Sequence, residues 1–148
     1  MQLSPSGIEL LKKLEGYKDK SYQDGAGVWT LGYGTTHGIK AGMTCTPVMA
    51  EGWLIRDTAA ADTAVTKMVH APRTQNEHDA LVIFAYNVGV PSLASSTLLR
   101  KFNAGDKAGA AEQFKAWNKI RVNGQLAESK GLLSRRLAEM NLFLGAVS

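Results

Sequence analysis

The sequence changes character once along its length, and that change restricts the chain to an α+β fold more tightly than any other feature. From Tyr17 to Thr44, Gly25, Gly27, Gly32, Gly34, Gly38 and Gly42 are spread among turn dipeptides and β-branched or aromatic residues. The rest is rich in Ala and Leu at helical spacing. The pattern predicts a small antiparallel sheet lobe leaning on a larger helical lobe, with a cleft between them suited to a polymer. At 148 residues and 45% hydrophobic content, one domain over 1–148 can bury a core without a staple. Within it, 15–45 is expected to be β-rich, 1–14 and 70–148 helical, and 46–69 a connecting helix.

Local signals set the elements. Ser4 is an N-cap with Pro5 at the first helical position, Ile8, Leu11 and Leu14 point inward, and Gly16 ends the helix. Asp24-Gly25 is a tight-turn pair, and Val28-Trp29-Thr30-Leu31 has strand content. A second helix opens at Thr46-Pro47 and runs to about Val69. The third carries the capping box Thr74/Glu77 and stops at Gly89. Helices are further expected at Ser96–Asn103, Lys107–Lys119 and Lys130–Leu144, with a break at Asn123-Gly124.

Charge and composition narrow the classes of function. Seventeen basic against 13 acidic residues give +4, which favours anionic partners. The surplus is spread along the chain without an aromatic-interleaved basic cluster, so nucleic acid is not expected as a partner. The longest apolar run, Ala80 to Tyr86, is far short of the ~20 residues of a membrane span. The segment Met1-Gln2-Leu3-Ser4-Pro5 lacks the basic and apolar regions of a secretory signal, so a soluble product that accumulates where it is made is expected. Cys45 is the single cysteine, which rules out an intramolecular disulfide; beside a helix start and without a partnered His, it reads as an inert thiol. His37, His70 and His78 lack metal-ligand spacing, and no metal site is expected.

Glu15 is the residue on which chemistry centres. Seven residues after Ile8 and four after Leu11, it continues the inward stripe of the first helix. Burial and the negative end of the helix dipole both favour its protonated form, as a general acid requires. Asp24 lies in a polar turn and is expected to stay ionised, and Thr30 on the facing strand can offer a hydroxyl to the same water. Two carboxyl groups in contrasting environments are the arrangement of acid/base glycoside cleavage. Singly, each has a plainer reading: a surface Glu at a helix end, and an Asp that only makes a turn.

The order Glu15-Gly16, Asp24, Thr30 resembles the catalytic triad of the phage-type lysozymes, glycoside hydrolase family 24. Further matches follow in order: Trp29-Thr30-Leu31-Gly32-Tyr33-Gly34, Phe84-Ala85-Tyr86-Asn87-Val88-Gly89, Ser96 to Asn103 with Gly105-Asp106, and Gly131 to Arg136 with Glu139. The resemblance implies a lysozyme-like fold and hydrolysis of the β-1,4 bond between N-acetylmuramic acid and N-acetylglucosamine, with inversion and no metal or organic cofactor. It also implies a monomer whose partner is the peptidoglycan glycan strand. The enzyme would be held in the host cytoplasm until a holin-type permeabiliser opens the membrane to the wall. Thr35 and Thr36 stand before His37 where many relatives place His directly, and Val122–Ser129 is longer and more polar than the usual turn before the last helix.

Tyr33, Tyr86 and Asn87 are candidates for the sugar groove, although Tyr86 ends an apolar stripe and suits the core equally well. Trp53, Phe114 and Trp117 sit at helical spacing and are expected in the core. Arg135 and Glu139 read as a helix-surface salt bridge, and Arg136 as a residue that packs the lobes. Two other functions fit the same residues. A lytic transglycosylase would need one Glu and no held water, and a non-catalytic peptidoglycan-binding or phage structural module would keep the fold alone.

Overall fold

The computed structural model describes residues 1–145. It is α+β, with helices α1 (Pro5–Glu15), α2 (Pro47–Met68), α3 (Gln75–Val88), α4 (Val90–Ala94), α5 (Thr97–Asn103), α6 (Lys107–Gln113) and α7 (Lys130–Phe143). Two antiparallel hairpins complete it, β1 (Lys18–Gln23) with β2 (Trp29–Gly32) and β3 (Lys119–Val122) with β4 (Gln125–Glu128). The chain divides into two compact units, residues 8–60 and residues 1–7 with everything from Ala61 onward.

In the unit of residues 8–60, Ile8, Leu11, Leu31, Ala50 and Leu54 are buried. The first hairpin pairs Tyr22 with Thr30 and Gln23 with Trp29, and it carries an irregularity between Lys18 and Tyr22. Its outer strand is largely exposed, whereas Thr30, Leu31 and Gly32 of β2 are buried. Backbone bonds from Ser21 to Met43 and from Cys45 to Asp19 tie β1 to the following loop. The small antiparallel sheet expected from the turn dipeptides and the Val28-Trp29-Thr30-Leu31 run is thus present as this hairpin.

The other unit is built on α3, whose residues Glu77 to Ala85 are all buried. Thr74 and Glu77 form the reciprocal capping box, with Glu77 N–H to Thr74 Oγ1 at 3.1 Å and Thr74 N–H to Glu77 Oε1 at 2.8 Å. Around α3 pack Val65, Leu93, Leu98, Phe102, Phe114 and Phe143. The N-terminal segment is fastened to this unit by polar bonds: Leu3 N–H donates to Asp62 at 2.8 Å, and Ser4 donates to Asp79 from both its N–H and its hydroxyl. Ser4 Oγ also accepts from Gly7 N–H at 3.1 Å, which makes it the cap of α1.

The structure departs from the sequence expectations at three places. The helix expected over Lys107–Lys119 ends at Gln113, continues as a single 3-10 turn over Phe114–Ala116 and gives way to strand β3. The cause is Asn123-Gly124, whose φ values of 51° and 80° match the paired positive angles of a tight hairpin turn and fold the flanking residues on each other. At Gly89 the chain does stop α3, but it restarts at once as α4 with Pro in its first turn. The third departure is the pair Arg135–Glu139, which is no surface bridge. Glu139 is fully buried and the Arg135 side chain is only 10% exposed, because the α7 face that carries them also carries the buried Phe143.

Candidate active site

Glu15 occupies the last turn of α1 and is half-buried, beyond the fully buried Leu11. Its carboxylate lies against the backbone at Gly34, where a Cβ would stand 3.3 Å from Glu15 Oε2; the absence of a side chain at 34 leaves that space to the acid. One turn earlier, Lys12 Nζ is gripped by Glu9 at 2.9 Å and Glu51 at 2.5 Å, and the bonds to these carboxylates, Glu51 first, raise its affinity for its proton. The same ammonium stands 5.8 Å from the centre of the Tyr33 ring, which also meets Tyr17 at 5.2 Å. Tyr17 donates to the Cys45 carbonyl at 3.2 Å. Partial burial, helped by Cys45, pushes its phenol up from the ordinary range. Tyr33 is therefore a fixed, half-buried ring, and Cys45 belongs to the structure that supports it.

Asp24 and Thr30 are brought together by one residue, Val28. Asp24 Oδ1 accepts from the N–H of Ala26 and of Val28, both at 2.9 Å. The Val28 carbonyl in turn accepts from Asp24 N–H at 2.9 Å and from the Thr30 hydroxyl at 3.0 Å. Asp24 is exposed while Thr30 is only 4% exposed. Among the described residues Asp24 Oδ2 has no protein partner. The bonds that shape the turn thus occupy one carboxylate oxygen and leave the other for solvent or substrate.

Sequence reasoning missed the part played by Thr35. Leu31 and Thr35 exchange both backbone bonds, at 2.9 and 3.0 Å, across the tight Gly32-Tyr33-Gly34 turn, and the Thr35 hydroxyl donates to Asp57 at 2.7 Å. The substitution of this loop relative to the family pattern is therefore satisfied within its own unit. The flanking glycines were the available signal for that turn.

Tyr86 and Asn87 belong to the other unit. Tyr86 is half-buried and packs on the core, and Asn87 is exposed. The Asn87 carbonyl oxygen accepts from Arg136 Nη2 at 2.5 Å. Arg136, fully buried, also bonds Glu139 at 3.1 Å through Nη2, lies 2.8 Å from it through Nε and faces the Phe84 ring at 5.2 Å. Burial pushes the Glu139 carboxyl up to about 6 against the opposing pull of both arginines, and burial likewise weakens the Arg136 cation. Of the aromatic residues expected in the core, Phe114 is fully buried while Trp53 and Trp117 are half-buried. His78 is buried between Arg73, whose Nε–H donates to its Nδ1 at 2.9 Å, and Asp62 at 2.7 Å from its Nε2. No group of three or more His, Cys, Asp or Glu among the described residues could hold a metal ion.

The arrangement of hairpin, helices and carboxyl-bearing α1 is that of a lysozyme-like α+β protein. An endolysin from Escherichia coli O157:H7 phage FAHEc1 superposes with a TM-score of 0.96 at 41% identity, covering 99% of this chain and 96% of that one. A point mutant of P22 lysozyme superposes with a TM-score of 0.86 at 35% identity, over 97% and 99% of the two chains. In sequence, the endolysin of Acyrthosiphon pisum secondary endosymbiont phage 1 is 41% identical over 99% of this chain and its own full length. The family model described as phage lysozyme matches residues 12–139. The chain belongs to the phage lysozyme family and is a glycoside hydrolase.

Proposed function

We propose that this endolysin-type enzyme, acting on peptidoglycan in host lysis, hydrolyses the β-1,4 bond between N-acetylmuramic acid and N-acetylglucosamine with inversion. Glu15 is the general acid and gives its proton to the leaving oxygen as the bond from the anomeric carbon breaks. Water, held by Asp24 Oδ2 and the Thr30 hydroxyl, attacks the opposite face and passes its proton to Asp24. Tyr33, Tyr86 and Asn87 contact the saccharide. The observation that carries this reading is the double use of Val28, which sets Asp24 and Thr30 in one frame while an oxygen of Asp24 stays uncommitted. A water-holding pair has no purpose in a transglycosylase, whose attacking group is the substrate's own hydroxyl.

Reaching the wall from the cytoplasm would use a holin-type permeabiliser, with the enzyme acting as a monomer. Co-expression with and without such a permeabiliser, followed by turbidity, tests that route.

The reaction itself is tested on its products. Mass analysis and early NMR spectra of a peptidoglycan digest should show free reducing muramic ends that appear first as the α anomer. Anhydro ends, or β-anomer product, would remove the inverting hydrolase.

A further inference from the structure

The turn that closes the second hairpin carries a reactive pair that the sugar-cleaving reading does not use. Of the asparagines in the chain, Asn123 alone is followed by glycine, so no side chain hinders the approach of the next backbone nitrogen to its amide carbon. Both residues are exposed, and nothing lies within 4 Å of a Cβ placed on Gly124. Among the described residues the Asn123 side chain makes no hydrogen bond. Arg121 Nη1 donates to the Gly124 carbonyl at 3.2 Å, and a cation at the turn favours a backbone nitrogen that has given up its proton. Asp24-Gly25 has the same outline in the first hairpin but is held differently. There Oδ1 is committed to the N–H groups of Ala26 and Val28, both at 2.9 Å, which fixes the side chain on its own turn. Around Asn123 only Ala127 of the two strands is even partly buried, so the turn can loosen at little cost.

We propose that Asn123 is a site of self-modification, at which attack by the Gly124 nitrogen converts the asparagine to isoaspartate and aspartate and so undoes the register of the second hairpin. Hydroxide takes the Gly124 N–H proton, the nitrogen bonds to Asn123 Cγ, and the Cγ–Nδ2 bond breaks. Nδ2 leaves as ammonia with a proton from water, and a cyclic imide remains. Water then opens the imide at either carbonyl. Opening at Cγ gives aspartate, whereas opening at the backbone carbonyl routes the chain through the side chain and gives isoaspartate. The sum is one water consumed and one ammonia released, with no oxidation or reduction. Either product removes one unit from the net charge of +4. Aspartate keeps a residue that accepts the positive φ of this turn, 51° at position 123. Isoaspartate adds a methylene to the backbone of a two-residue turn, and the pairs Arg121 with Leu126 and Ile120 with Ala127 have no burial to restore them.

Incubation of the full chain in mildly alkaline buffer made with heavy-oxygen water, followed by tryptic digestion and mass analysis, tests the proposal without requiring turnover. The peptide Val122–Lys130 should gain about one mass unit from the exchange of nitrogen for oxygen, plus the label of one heavy oxygen. It should divide into two chromatographic species, one of which accepts a methyl group from an isoaspartyl methyltransferase. The peptide Ala116–Lys119, which contains Asn118, should stay unchanged over the same time. The rate at Asn123 in the native chain should lie within about tenfold of that in the urea-unfolded chain, because the hairpin opens easily. Protection of Asp24 by the fold, read as isoaspartate in the peptide Ser21–Lys40, should be larger. Asn123→Gly removes the amide and keeps a turn that tolerates positive φ, so the mass gain should vanish while the hairpin stays. In NMR spectra the isoaspartyl form should lose the cross-strand contacts of Arg121 with Leu126, and the aspartyl form should keep them. No gain in the native chain, protection of Asn123 beyond about tenfold, or aspartate without isoaspartate would overturn the proposal. The same gain in N123G would overturn it too, by placing the change at Gln125. An isoaspartyl form with its cross-strand contacts intact would overturn the loss of register.

Discussion

The two hairpins of this protein, Lys18–Gly32 and Lys119–Glu128, differ in what holds them. In the first, Thr30, Leu31 and Gly32 of β2 are buried, and the chain beyond is bonded back through Thr35 and Cys45. In the second, every residue except Ala127 is exposed, including Ile120, Val122 and Leu126, and the turn Asn123-Gly124 supplies the register. A strand fixed by burial can hold a hydroxyl and a carboxylate in place for chemistry, because a slip of one residue would turn its apolar set outward. A strand fixed only by its turn is suited to contact and selection.

That contrast breaks or sharpens under measurement, beginning with catalysis. Glu15→Gln should lower turnover about 10²- to 10⁴-fold with little change in Tm, whereas no single substitution in Lys119–Glu128 should cost more than about tenfold. Clearing of outer-membrane-permeabilised cells measures both, and a hairpin variant as inactive as Glu15→Gln would erase the distinction. Gly32→Ala should destabilise by roughly 2–4 kcal/mol, since φ is +67° there and the new Cβ would stand 2.8 Å from that of Ala50. Urea unfolding reads this directly.

Next in size is a pH effect. The folded carboxyl of Glu139 sits at about 6 against an ordinary 4.5, so the folded state binds the proton more tightly. Its contribution, about 2 kcal/mol, is fully present below the unfolded value and disappears as pH rises through about 6. Urea midpoints from pH 4 to 7 should fall across that window in the wild type, and E139Q should remove that part of the slope. The smallest effect is expected at Gly124, where φ is +80° and nothing lies within 4 Å of an added Cβ. Gly124→Ala should cost about 1 kcal/mol, the conformational term alone.

Legibility followed the same physics. Caps and turn dipeptides act within a few residues, so Ser4, Asp24 and the Thr74/Glu77 box could be read directly. Asn123-Gly124 was equally visible as a break, but Ile120, Val122 and Leu126 carry no buried alternation, and the flanking residues were read as helix and loop. Arg135, Arg136 and Glu139 failed for a different reason: an i, i+4 charge pair states a spacing without saying which helix face is covered. At the candidate site, Glu15, Asp24 and Thr30 are singled out by the resemblance of their order and separation to the family's triad. The Val28 peptide that joins two of them is not, because backbone groups leave no trace in residue identity. Thr35 and its bond to Asp57 were hidden similarly, by 22 residues of intervening chain.

The most direct test of the proposed chemistry is a crystal structure of Glu15→Gln with a peptidoglycan tetrasaccharide bound. The amide at 15 should lie within hydrogen-bond distance of the glycosidic oxygen, and one water should bridge Asp24 Oδ2, the Thr30 hydroxyl and the opposite face of the anomeric carbon. A saccharide whose scissile oxygen is out of reach of residue 15, or an anomeric carbon that meets a carboxylate with no room for water, would contradict the account.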